Sequence, residues 1–280
     1  MTKPLILITN DDGIRSRGLL AAASACGALG DLLIVAPAHQ QSAVGRAKPP
    51  GSSGRIFEEK LIVNERTITG YAIEGTPAQV VEYAVVEVAQ RPPALVVSGI
   101  NFGENLGEGI TTSGTVGAAL EAASFGLPAL ATSLQTDPKH YFTHDAELDF
   151  AVAAHFVQRV AAAVLQHGLP PGVDLLKIDL PSHATLDTPI RWTRLSRHRY
   201  FYPVPKPRQA LSDPSPMGFE QRADPAILAP DSDVRAVVLD HVVSVTPLVF
   251  DMTAPIDLPS LDKWFTGATT NNTDNFIRNL

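Results

Sequence analysis

The chain has 280 residues, 22 Lys+Arg against 29 Asp+Glu, and 45% hydrophobic residues; its formal net charge is −7. That balance supports a sizeable globular core and excludes stable nucleic-acid binding through a Lys/Arg surplus. The single cysteine, Cys26, excludes an intramolecular disulfide and a cysteine-based zinc site.

The elements follow in chain order. Leu5–Thr9 is a continuous apolar strand ending in Asn10-Asp11-Asp12-Gly13. It is too short for a signal-peptide core, and the sequence has no run of ~18 apolar residues, so the expectation is no membrane span and a cytoplasmic protein. An Ala/Leu-rich helix is predicted over Arg17–Leu29, then a buried strand over Asp31–Pro37 and a polar loop over Gln40–Gly54. Shorter strands are predicted at Lys60–Val63 and Thr67–Ile73. Thr76-Pro77 opens a helix running to about Ala89, with Thr76 as N-cap and Pro77 as first helical residue. A strand over Ala94–Ser98 leads into a loop at Gly99–Gly109, and a helix from Ser113 stops at Gly126. Then come a strand at Pro128–Leu134, a helix over Asp145–Gln166, and strands at Leu175–Leu180 and Val242–Pro247. The proline-rich stretch His198–Gln221 reads as irregular, part of a protruding arm over about 191–221. Thr266–Leu280 is polar. Strands alternating with helices predict an α/β fold, a Rossmann-like, mostly parallel sheet with crossover helices. The expectation is one domain, with its core at about 1–185 and 230–253 and a C-terminal tail over about 254–280.

In such sheets, ligands sit beyond the carboxyl ends of the strands. Asp11 and Asp12, Ser42, Asn101 and Asn105, and Ser113-Gly114-Thr115 all fall on that edge. Adjacent carboxylates repel unless a cation neutralises them, and hard oxygen ligands suit Mg²⁺, Mn²⁺ or Ca²⁺. Taken alone, Asp-Asp-Gly also suits a helix cap and turn. Ser113-Gly114-Thr115 at a helix start is a candidate anion site, with plain N-capping as the simpler alternative. The fingerprints of dinucleotide enzymes, phosphate-loop triphosphatases, α/β-hydrolases and zinc proteases are absent from the sequence. His39 and His198 are further candidates on the substrate side.

Taken together, Ile8-Thr9-Asn10-Asp11-Asp12-Gly13, Val35-Ala36-Pro37 with Gln41-Ser42, Gly75-Thr76-Pro77-Ala78, Ser98-Gly99-Ile100-Asn101, Asn105-Leu106-Gly107, Ser113-Gly114-Thr115-Val116-Gly117 and Ser244–Leu248 form an ordered set. In these the chain resembles the survival protein SurE family of 5′/3′-nucleotidases. The resemblance implies one divalent metal, Mg²⁺ or Mn²⁺, on Asp11, Asp12, Ser42 and Asn101. It implies phosphate held by Asn105, Ser113, Gly114 and Thr115, with Asp11, Asn105 and Ser113 as the catalytic groups. It also implies a homodimer or homotetramer assembled through the arm and the C-terminal segment. The activity so implied is hydrolysis of nucleoside 5′(3′)-monophosphates. The alternatives are a polyphosphatase or broad phosphomonoesterase, and a non-catalytic nucleotide-binding homologue. The chain departs from the family pattern at Ala38, at Ser42-Ala43, at Gln79-Val80, and at Lys177-Ile178-Asp179, where the family commonly has Asn-x-Asn.

Overall fold

A computed structural model describes residues 2–141 and 148–267. In chain order the elements are β1 (Leu5–Thr9), α1 (Arg17–Cys26), β2 (Asp31–Pro37), β3 (Ile56–Val63), β4 (Arg66–Ile73), α2 (Pro77–Tyr83), β5 (Leu95–Phe102), α3 (Gly114–Ser124), β6 (Ala129–Leu134), α4 (Ala151–His167), β7 (Leu175–Leu180), β8 (Ile190–Trp192), β9 (Phe201–Val204), β10 (Gly218–Gln221), β11 (Val243–Leu248) and α5 (Leu258–Phe265). The chain divides into two units, Met1–Phe250 and Asp251–Leu280. In the second, the helix α5 is the described element; most of the polar stretch Thr266–Leu280 lies outside the described residues. No helix among the described residues is long and apolar enough to cross a membrane.

Strands buried at every position, such as β6 and β7, are covered on both faces, as a sheet sandwiched between helices requires. The strand order is β3-β4-β2-β1-β5-β6-β7-β11-β8. From β4 to β7 every neighbouring pair is parallel. The strands β3 and β11 run antiparallel to β4 and β7. On one face, Leu19 and Ala22 of α1 and Phe156 and Val157 of α4 close over Ile6, Ile8 and Val97. On the other, Val80 and Val81 of α2 and Ala118 and Ala122 of α3 close over Leu7, Val35 and Val96. The chain builds from β1 through β2 to β4, then crosses to the other side of β1 to lay down β5. The topological switch point therefore lies between β1 and β5, where the loops part and leave a crevice.

The helix entries match their local chemistry. Thr76 Oγ1 accepts the Gln79 N–H at 3.4 Å while Gln79 Oε1 accepts the Thr76 N–H at 3.1 Å, a closed capping box ahead of Pro77. The α-helical part of α2 ends at Tyr83 and continues as a π-turn over Ala84–Val88.

Several boundaries differ from the sequence expectation. The helix α1 stops at Cys26 rather than Leu29. The strand β3 begins at Ile56, because an exposed edge strand tolerates Glu58 and Glu59, which hid its start. The strand β5 does not end at Ser98 but resumes pairing with β6 at Asn101 after a register shift. Gly99 permits this: its φ is +122° and a Cβ there would lie 2.2 Å from Thr132 O, so only glycine fits. The peptide Gly99–Ile100 is cis. Within the expected arm, Arg191 and Trp192 belong to the main sheet as β8, and the protruding part is an antiparallel β9–β10 hairpin rather than irregular chain. The helix expected from Asp145 begins at Ala151; 145–147 lie outside the described residues.

Candidate active site

Asn10 builds the turn that ends β1. Its side-chain Oδ1 accepts the Gly13 N–H and its Nδ2 donates to Gly13 O, both at 3.1 Å. The turn projects Asp11 and Asp12 into the crevice, each only 5% exposed. Asp11 Oδ1 accepts the Thr115 hydroxyl at 2.5 Å. Asp12 accepts Gln40 Nε2 at 3.2 Å and the Phe102 N–H at 3.4 Å. No Lys, Arg or His among the described residues pairs with either carboxylate. Burial pushes the Asp11 carboxyl up from 3.8 to about 6, partly offset by Thr115. Asp12 is raised by burial first and then by the charge of Asp11.

The crevice opens as a cavity of about 680 Å³, lined in part by Asp11, Asp12, Ser42, Asn101, Asn105 and Ser113. Loops from four places in the sequence thus meet at one rim. Gly114 and Thr115 stand just behind it. A Cβ on Gly114 would lie 2.7 Å from both Cβ and Oδ2 of Asp11, so glycine is what lets α3 approach that carboxylate. Thr115 is fully buried and its hydroxyl is committed to Asp11, so its side chain serves the carboxylate rather than the cavity. Ser113 caps α3, its Oγ accepting the Val116 N–H at 3.1 Å; its own hydroxyl proton stays available to a ligand. Asn101 donates Nδ2 to Gly103 O at 2.8 Å, which leaves its Oδ1 as a free oxygen donor.

Three further groups of residues hold this rim in place. Glu121, with 3% side-chain exposure, binds Arg46 at 2.7 Å and Lys48 at 3.0 Å and so ties the Ser42 loop to α3. Gly45 N also donates to Thr112 O at 2.8 Å.

The second group is a fully buried triad, Lys177 of β7 between Asp179 and Asp233. Asp179 Oδ1 accepts the Asn105 N–H at 2.7 Å, and Asp233 Oδ2 accepts the Gly107 N–H at 2.9 Å. Burial alone would lower the Lys177 pKa, but its two carboxylate neighbours outweigh this and raise it; burial raises Asp179. The triad therefore grips the backbone on both sides of Leu106. The side chain of Asn105 meets Ser133 Oγ at 2.8 Å. In that bond Nδ2 donates, and an amide NH2 carries a second N–H.

Glu104 forms the third group, a buried carboxyl raised by desolvation that accepts Tyr200 OH at 2.9 Å, Gln221 Nε2 at 2.7 Å and Tyr141 OH at 3.3 Å. Opposite charges two residues apart in the apolar run Leu175–Leu180 were the available signal for the triad. Glu104, Tyr141 and Gln221 come from loops and a hairpin with no periodic signal.

His39 lines a different cavity, of about 360 Å³, beside Ser52, Ser53 and Glu74. His198 is not among the residues around the acidic cavity.

Fold and site together define an open, mostly parallel α/β protein with an acidic, loop-built pocket at its switch point. A model of the survival protein SurE family matches residues 6–202. The chain is 42% identical over 258 residues to a protein named 5′-nucleotidase SurE from Thermococcus gammatolerans, covering 91% of this chain and 94% of that one. It is 44% identical to the Methanocella arvoryzae protein of the same name, over 89% and 93% of the two chains. The crystal structure of a SurE protein from Aquifex aeolicus superposes with a TM-score of 0.74 at 28% identity, covering 94% of this chain and all of the other. The chain belongs to the survival protein SurE family, and this places it among the phosphoric monoester hydrolases.

Proposed function

We propose that this protein hydrolyses nucleoside 5′-monophosphates, and 3′-monophosphates at the same site, with one divalent cation, Mg²⁺ or Mn²⁺, as cofactor. The observation that carries the reading is the Asp11–Asp12 pair: two buried, adjacent carboxylates without a cationic neighbour among the described residues, facing a cavity. Such a pair is stable as two anions only beside a cation, and its all-oxygen surroundings suit a hard one. Asp11, Asp12, Ser42 and Asn101 would hold it. The bound cation would supply Lewis-acid polarisation and a lowered water pKa.

The chain's own groups do the rest. Thr115 fixes the Asp11 carboxylate, and Asp11 orients the attacking water. The Ser113 hydroxyl, the Asn105 amide and the N–H of Gly114 at the start of α3 meet the phosphoryl oxygens as charge develops on them. Water oxygen bonds to phosphorus as the ester P–O bond breaks; phosphate leaves, and the nucleoside oxygen takes up a proton. The names of the relatives, 5′-nucleotidase SurE, support the same substrate class. Assembly into a homodimer or homotetramer through the β9–β10 arm and the C-terminal segment belongs to this reading, as does a cytoplasmic location. Light scattering on the purified chain measures the former.

The test is phosphate release from nucleoside monophosphates, short polyphosphate and sugar phosphates, with Mg²⁺, Mn²⁺ or chelator. Turnover of nucleoside monophosphates that requires metal, and that Asp11→Ala abolishes in a folded protein, is expected. Release that is indifferent to chelator or to Asp11→Ala would remove the reading.

A further inference from the structure

The acidic rim accounts for only part of the cavity's lining. Its volume of about 680 Å³ is far more than a phosphate group fills and is in the range that takes a drug-sized ligand. Tyr141, Phe201 and Phe219 also line the cavity. Phe201 of β9 and Phe219 of β10 stand diagonally across the hairpin with ring centroids 5.5 Å apart, edge to face at 82°. Tyr141 lies parallel to Phe219, within 9° and 6.2 Å between centroids. Even with Tyr141 and Phe201 against it, Phe219 remains 44% exposed, so part of its ring is open to a ligand in the cavity.

This wall is fixed in place. Glu104 gathers Tyr141 OH, Tyr200 OH and Gln221 Nε2, and Gln221 also donates to Tyr141 OH at 3.1 Å. That single buried carboxyl thus joins the hairpin, the loop after β5 and the Tyr141 turn. Gln40 extends the link to the acidic rim, donating from one Nε2 to Tyr141 O at 2.9 Å and to Asp12 at 3.2 Å. Phosphate chemistry and an aromatic cluster therefore line one cavity, with polar side chains running between them.

From this we infer that Phe219, with Phe201 and Tyr141, is the stacking surface for the base of the substrate, and that it sets the preference for nucleotides over phosphomonoesters without an aromatic group. The inference rests on the proposed nucleotidase reading. A π-face suits any base, so the wall selects for a base without choosing among bases. The parallel Tyr141 and Phe219 rings stand closer than the ~7 Å that two van der Waals contacts across an inserted ring require. The base consequently packs against the wall and does not slide between those two rings.

The experiment compares kcat/KM for a purine nucleoside 5′-monophosphate with that for ribose 5-phosphate, in the metal-loaded wild type and in Phe219→Ala, Phe201→Ala and Phe219→Tyr. The nucleotide-to-sugar ratio is expected to fall about tenfold in each alanine variant and to hold in Phe219→Tyr. An unchanged ratio in Phe219→Ala, whether both substrates suffer equally or neither does, would overturn the inference. So would an equal fall in Phe219→Tyr. If the wild type releases phosphate from neither ester, the nucleotidase reading fails, and stacking is then judged by calorimetric titration with the purine nucleoside. Binding that Phe219→Ala weakens about tenfold supports the wall. No binding by the wild type, or equal binding by both proteins, refutes it.

Discussion

Replacing Asp11 by Asn should stabilise the metal-free protein and destabilise the metal-loaded one relative to wild type. Asn keeps the oxygen that accepts the Thr115 hydroxyl and removes the charge. In the metal-free fold burial holds the Asp11 carboxyl at about 6 instead of 3.8. The folded state therefore keeps its proton to higher pH than the unfolded chain does. For this group, stability is greatest below 3.8, declines as pH rises through the interval from 3.8 to about 6, and is lowest above it. At 1.36 kcal/mol per pKa unit, the burden at neutral pH is ~3 kcal/mol. That corresponds to ~6–12 °C in Tm for a unit of this size. Thermal unfolding followed by circular dichroism in chelator, for both proteins across pH 4–7, reads this effect together with the relief of Asp12, which the Asp11 charge also raises; both act in the same direction. The two should agree near pH 4 and separate by pH 7, with the Asp11→Asn variant melting higher. With Mn²⁺ at about 100 times its Kd, wild type should gain ~2.7 kcal/mol by linkage and the variant much less. A difference that does not change with pH, or a variant less stable than wild type in chelator at pH 7, would refute the reasoning.

Other outcomes follow from the same geometry. Gly114→Ala places a methyl 2.7 Å from Asp11, so the carboxylate must move; kcat should fall by about 10²-fold while unfolding shifts by only ~1–3 kcal/mol. Lys177→Met leaves Asp179 and Asp233 buried without their cation and should cost ~3–5 kcal/mol in denaturant titrations at pH 7.5. Because burial raises the Asp179 carboxyl, acidification removes part of that charge and the loss should shrink as pH falls; a loss that does not change with pH would contradict the triad's role. Glu121→Gln cuts the anchors to Arg46 and Lys48, and its Mn²⁺ affinity should fall by ~10-fold, measured by calorimetry, if the Ser42 loop is held as described.

The parallel core was legible because its strands are apolar runs and its helices carry caps such as Thr76-Pro77 and Ser113. The convergence of Asp11, Ser42, Asn101 and Ser113 followed from strand ends in a parallel sheet. What could not be read is mostly tertiary. Nothing local marks Ile56–Glu59 or Ile190–Trp192 as strand, since edge strands draw their partners from elsewhere in the chain. The commitment of Thr115 to Asp11 depends on how closely α3 approaches β1, which Gly114 permits but does not announce. The aromatic wall is built from Tyr141, Phe201 and Phe219, far apart in sequence and set in stretches without periodicity. Glu104 joins them only once the hairpin has folded back.

The central claim is tested most directly by titrating Mn²⁺ into the protein and counting bound ions by electron paramagnetic resonance, in wild type and in Asp12→Ala and Asn101→Ala. One tight site per chain, lost in Asp12→Ala and weakened in Asn101→Ala, is the predicted result. Equal binding by all three proteins, or none by the wild type, would contradict the account.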